Sequence, residues 1–215
     1  MNAFGFDYEF VPGPSPRTLL LLHGTGGDER DLLPLGRALD SAAALLSPRG
    51  QVLENGAPRF FRRLVEGVFD EADVIARAKE LAQFIRDAAV EHRLDVEQIT
   101  ALGYSNGANI ASAMMLLGVM KFAGAILLRP MVPLSQPPAT DLRSQRVLIC
   151  AGQFDPIASE PQVNALTRLL RERGAEVDLA TQQSGHELTT ADSRRRAIGL
   201  RARPSRSKNT RECLS

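Results

Sequence analysis

The segment carrying the most chemistry is Gly103-Tyr104-Ser105-Asn106-Gly107, a G-x-S-x-G pattern between a run predicting a strand, 99–102, and one predicting a helix, 105–118. A serine on so sharp a turn is offered to a carbonyl carbon as a nucleophile, and the flanking glycines let strand and helix approach closely. The helix starting there favours negative charge developing beside the serine. The same pattern also suits an ordinary helix cap, so the serine needs partners before it means more. A hydroxyl attacks only when a base accepts its proton, and that base needs an acid to hold its tautomer.

The chain has three histidines, which makes the search for a base short. His92 falls near the end of a charged helix, where a protonated imidazole at the surface suits the helix dipole. His23 closes the first apolar block and reads as a prop for the adjoining loop. His186, in Gln183-Ser184-Gly185-His186-Glu187 directly after a predicted strand, is the candidate base. Asp155 follows the preceding apolar strand and is the candidate acid; its alternative is an Asp-Pro turn or a helix cap. Asp141 precedes that strand and Asp178 begins the next, so both belong to the wrong end of the sheet. The resulting order, Ser105, Asp155, His186, is that of α/β-hydrolases.

An acyl transfer also needs donors for the oxygen that becomes an anion. The backbone N–H of Asn106 is one candidate, and that of Thr25, in His23-Gly24-Thr25-Gly26-Gly27-Asp28, is the other. This loop lacks the Gly-Lys-Ser/Thr of a phosphate-binding loop and does not read G-x-G-x-x-G. Asp28 reads as the cap of the helix that follows. Segment 50–70 predicts the wall of the substrate cleft, with Phe60 and Phe61 lining an acyl pocket and a nearby arginine receiving a polar group. The other reading is a surface loop anchored in the core.

The elements that must position these residues follow from periodicity. Short apolar runs at 18–22, 42–46, 99–102, 123–128, 147–151 and 177–181 suit strands buried on both faces. Helical spacing at 29–39, 71–93, 105–118 and 161–173 alternates with them, which implies a mostly parallel sheet covered by helices on both sides. Segment 6–11, followed by Pro12-Gly13-Pro14-Ser15-Pro16, reads as an antiparallel edge strand and its turn. The expectation is one α/β domain over 1–191 and a basic, poorly ordered tail over 192–215.

Composition narrows the partners. The 215 residues are 44% hydrophobic and 24% charged, ordinary for a globular chain large enough to bury a core without staples. Two cysteines exclude a disulfide scaffold and a four-cysteine zinc site. The net charge of +1 hides an asymmetry: 1–191 carries 18 basic against 23 acidic residues, and 192–215 carries 8 against 2. An acidic body with 5% aromatic residues argues against nucleic acid as the main partner. The N-terminus lacks a signal-peptide pattern and no apolar run approaches the ~20 residues that span a bilayer, so the expected location is the cytoplasm, without stable membrane insertion.

The blocks Leu22-His23-Gly24-Thr25-Gly26-Gly27-Asp28-Glu29, Gly103-Tyr104-Ser105-Asn106-Gly107-Ala108 and Ser184-Gly185-His186-Glu187-Leu188-Thr189 resemble the phospholipase/carboxylesterase family of small α/β-hydrolases. The resemblance covers about 15–191 and takes in Leu46-Ser47-Pro48-Arg49-Gly50 and Arg129-Pro130-Met131-Val132-Pro133. It implies a lidless or nearly lidless serine esterase acting on small-molecule carboxylic esters or thioesters through Ser105, His186 and Asp155, with no metal or cofactor, and a homodimer as relatives commonly form. A lysophospholipase or acyl thioesterase would use the same groups, as would a hydrolase of a cyclic ester or a carbon–carbon bond. The related acyl-protein thioesterases usually carry Gln where Asn106 stands. A ligand-binding scaffold without catalysis is the alternative of another class. The tail departs from the family: relatives would end in an amphipathic helix supporting the histidine loop, whereas 193–204 has few apolar anchors. The tail reads as contacting an anionic surface or partner, or as an altered C-terminus that contributes nothing.

Overall fold

A computed structural model describes residues 2–3 and 5–194. The first half runs β1 (Asn2–Ala3), β2 (Phe6–Val11), β3 (Thr18–Leu22), α1 (Leu33–Leu39) and β4 (Ala44–Pro48). Two small hairpins follow, β5 (Val52–Glu54) with β6 (Ala57–Arg59) and β7 (Arg63–Val65) with β8 (Val68–Phe69). The second half is α2 (Glu71–His92), β9 (Ile99–Tyr104), α3 (Asn106–Leu116), β10 (Gly124–Leu128), β11 (Arg146–Gly152), α4 (Glu160–Glu172), β12 (Glu176–Gln182) and α5 (Thr190–Arg194).

Among the described residues, one large sheet has the order β1-β2-β4-β3-β9-β10-β11-β12. It is parallel from β4 through β12, and β2 pairs antiparallel with β4. Alternation along β3 explains the unbroken apolar block: Leu20 and Leu22 enter one core, Leu19 and Leu21 the other. The first core lies under α2, α3 and α4. The second lies on the face where α1 packs on β3 and β4, and α5 packs on α1. No helix among the described residues is long and apolar enough to cross a membrane.

Several expectations shift locally. The helix foreseen from 29 starts at Leu33, and Asp28 caps no helix: its carboxylate accepts the Arg30 N–H at 2.8 Å in a local turn. The strand foreseen at 42–46 begins at Ala44, because the Asp40 carboxylate accepts the N–H groups of Ala42 and Ala43 and holds them in a turn. Segment 6–11 is one position in from the sheet edge, with β1 outside it. The folded body also runs past the expected boundary at 191, since Asp192 is buried within it. The rest of the basic tail, from Arg195, lies outside the described residues.

In a parallel sheet every strand ends at the same edge. The loops after β3, β9, β10, β11 and β12 therefore converge there. After β3 the chain passes to β4 on one side, while β9 lies on the other, so the sheet has its topological switch point between β3 and β9. Thr25 follows β3 and Ser105 follows β9.

Candidate active site

Ser105 sits between β9 and α3 at φ 51°, ψ −112°, a backbone conformation that L-residues rarely adopt. Its N–H is held by Leu128 O at 2.8 Å. The two glycines of the motif are required by space: a Cβ on Gly107 would lie 2.0 Å from Leu22 O, and one on Gly103 would lie 2.5 Å from Gly107 O.

The loops after β11 and β12 bring Asp155 and His186 to this serine. His186 Nε2 is 2.9 Å from Ser105 Oγ, and His186 Nδ1 is 2.8 Å from Asp155 Oδ2. A carboxylate beside Nδ1 favours the tautomer with the proton there, leaving the Nε2 lone pair facing the hydroxyl. Asp155 Oδ1 accepts the N–H groups of Ile157 and Ala158 at 2.8 and 2.9 Å, which fixes the carboxylate. The expected turn role of Asp155 thus coexists with its contact to His186. The Tyr104 hydroxyl donates to His186 O at 3.0 Å.

A cavity of about 310 Å³ opens beside Ser105 and His186, lined also by Thr25, Asn106, Met131 and Ile157. The loop bearing Thr25 is tied to the β5–β6 hairpin: Gly26 N donates to Pro58 O at 2.9 Å, and Arg59 Nη1 donates to Thr25 Oγ1 at 2.7 Å. Asn106 is the first residue of α3, and the first N–H groups of a helix have no acceptor within it. Its side-chain Oδ1 accepts the Phe60 N–H at 2.7 Å, joining the hairpin segment to the serine turn.

Phe60 and Phe61 do not line this cavity. Both are core residues, 3% and 0% exposed, with Phe60 against the His23 ring and Phe61 against Phe69. The residue of that segment that reaches the cavity is Phe69, joined by Arg59, Arg63, Glu66 and Gly67. The wall came from the expected segment, and its aromatic face from a different phenylalanine. Hairpin strands of two or three residues are too short to show a period, so sequence could not tell which side chains point inward.

His23 props the loop as expected. Its Nδ1–H donates to Gly24 O at 2.6 Å and its Nε2 accepts the Gly50 N–H at 2.9 Å. Burial lowers its pKa, outweighing the Gly24 carbonyl bond. The unfolded chain therefore takes up a proton near pH 6.5 that the folded protein refuses. His23 contributes stability fully above that pH and progressively less as pH falls below it. Urea midpoints measured from pH 8 to 5 should fall toward acid, and His23→Gln should flatten that dependence. An unchanged slope in the variant would assign the proton uptake to another group. His92 departs from the surface reading: its ring stacks on Phe10 at 3.9 Å and meets Tyr8 Oη at 3.1 Å, and burial lowers its pKa against the pull of Glu91.

Arg129, quoted above only as part of the block 129–133, and Asp192 are residues to which sequence reasoning gave no role. Arg129 follows β10 at φ 53°, and its side chain and that of Asp192 are both 0% exposed. It donates from Nη1 and Nη2 to the two Asp192 oxygens, each at 3.1 Å. It also donates to Cys150 O, Ser184 Oγ, Gly185 O and Glu187 O, surrounding the loop that carries His186. Burial raises the Asp192 pKa, yet the Arg129 and Thr189 hydrogen bonds outweigh it and hold the carboxyl below its ordinary range. The available signal was an arginine closing a buried strand, a position where a charge persists only when paired.

No protein-family model matches the chain. It is 48% identical over 180 residues to MhqD of Bacillus subtilis (strain 168), a candidate hydrolase, covering 84% of this chain and 90% of that protein. The crystal structure of a Bacillus cereus carboxylesterase superposes with a TM-score of 0.85 at 46% identity, over 87% of this chain and 90% of that one. A carboxylesterase from Mesorhizobium loti superposes with a TM-score of 0.84 at 40% identity, over the same shares.

Proposed function

The chain belongs to the phospholipase/carboxylesterase family of small α/β-hydrolases and is a carboxylesterase-type hydrolase, and on that premise we propose that it cleaves esters of small or medium acyl chains through Ser105, His186 and Asp155. The observation that carries this reading is the continuous hydrogen-bonded line from Ser105 Oγ through His186 to Asp155, at 2.9 and 2.8 Å.

In this mechanism His186 Nε2 takes the hydroxyl proton as Ser105 Oγ bonds to the acyl carbon and the carbonyl π electrons move onto oxygen. The Thr25 and Asn106 N–H groups receive that anion. Collapse restores the carbonyl and breaks the bond to the alcohol oxygen, which leaves with the proton from His186. Water then gives a proton to His186 and attacks the acyl-serine; the acid departs and Ser105 regains its hydrogen. Asp155 keeps the imidazole in one tautomer and stabilises its charged form. We also infer a cytoplasmic enzyme that needs no cofactor and, as the family resemblance implies, pairs as a homodimer.

Intact-mass measurement after treatment with a fluorophosphonate tests the proposal. One adduct per chain is expected. Folded protein that gains no mass would overturn the proposal and favour a ligand-binding scaffold.

A further inference from the structure

Resting on that reading of Ser105, we propose that the preferred substrate carries a carboxylate on its acyl half, a few carbons from the ester carbonyl, and that Arg59 and Arg63 receive it.

Both arginines line the cavity beside Ser105. Arg59 is 3% exposed, and burying a guanidinium carries a desolvation cost that an apolar residue would not incur. Its Nε donates to Phe61 O at 3.1 Å and its Nη1 to Thr25 Oγ1 at 2.7 Å, which leaves Nη2 without a protein acceptor among the described residues. Glu54 stands between the two cations, 3.2 Å from Arg59 Nε and 2.8 Å from Arg63 Nε. One carboxylate between two guanidinium groups leaves a positive charge over. Glu66, at the cavity and 3.9 Å from Arg63, is 65% exposed, so water screens it from the interior. Desolvation depresses the Arg59 pKa despite Glu54, consistent with a cation incompletely compensated by the protein.

Topology selects the half of the substrate. The departing alcohol must face His186, from which it takes its proton, on the β11–β12 side of Ser105. Thr25 and its partner Arg59 lie on the β3 side, away from His186, and the proposal places the acyl chain on that side, beside the candidate oxyanion donors. The contact between Arg59 and the loop of the candidate oxyanion donor makes the spacer short. A cavity of about 310 Å³ is at the low end for small-molecule sites and also favours a short chain. The chemistry indicated is a half-ester of a short dicarboxylic acid.

The test compares monomethyl glutarate with methyl valerate, which match in chain length and differ in the terminal charge. The full chain should show kcat/KM about tenfold higher for the glutarate, as expected for a hydrogen-bonded charge pair. Added salt should erode that preference. Arg63→Gln should cut the ratio of the two values about tenfold, and Arg63→Lys should restore part of it. Equal rates on both esters in a protein that still reacts with a fluorophosphonate would overturn this inference alone. A ratio untouched by Arg63→Gln would also overturn it. Failure to cleave either ester or to take the probe would remove the underlying reading of Ser105 as well.

Discussion

Ser105→Ala should lower ester turnover by about 10⁶-fold, the scale set by removing the nucleophile of a serine hydrolase. The fold should survive, because among the described residues the hydroxyl's side-chain hydrogen bond is with His186 alone, and alanine keeps the Cβ at the same φ of 51°. Urea midpoints of the two proteins should agree within the error of the measurement. Fluorophosphonate labelling should vanish with turnover. Adding His186→Ala should cost little more, because the two groups act as one unit. A Ser105→Ala protein with a substantial share of wild-type turnover would mean that another group or bound water attacks the ester.

Arg129→Met should destabilise the protein by about 3–5 kcal/mol, since it leaves the Asp192 carboxylate buried without its cation. Asp192→Asn alone should also be costly, for the converse reason. The double variant Arg129→Met/Asp192→Asn should recover part of the loss, because no unpaired charge is then buried. Below its unfolding transition, Arg129→Met should still react more slowly with a fluorophosphonate. The loop carrying His186 loses its hydrogen bonds at Ser184, Gly185 and Glu187, and Ser105 loses a well-placed base. Unchanged reactivity in a folded variant would make Arg129 structural only.

The same ion pair makes an acid prediction with a defined sign. The Asp192 pKa is lowered in the fold from an ordinary value of 3.8. Its contribution is therefore complete above that value and is lost as pH falls through the lower folded one. Stability measured in this range should lose less in Asp192→Asn than in wild type.

Much of this protein was legible before any coordinate. The apolar blocks at 18–22, 99–102 and 147–151 mark strands because burial on both faces removes polar alternation. Ser105, Asp155 and His186 could be proposed from their places after strands, since a parallel sheet brings all such loops to one edge. Less was legible where elements are short or where a polar side chain bonds to distant backbone. Asp28, the start of α1 and the inward side chains of segment 50–70 fall in that class. Asn106 shows the limit well: its neighbour in sequence is Ser105, but its Oδ1 holds Phe60, 46 residues away.

What the amino-acid order determined by itself is the alternation of strand and helix and the residue types placed at the strand ends. Hydrophobic periodicity and the steric needs of the Gly103–Gly107 turn act between near neighbours, and so can be read from a string. Only the tertiary structure decided that Phe69, with Arg59 and Arg63, reaches the cavity while Phe60 and Phe61 enter the core. It alone paired Arg129 with Asp192, 63 residues away, beneath the histidine loop. Whether a buried charge has a partner depends on distance in space, and the order of residues carries no record of that distance until the sheet has formed.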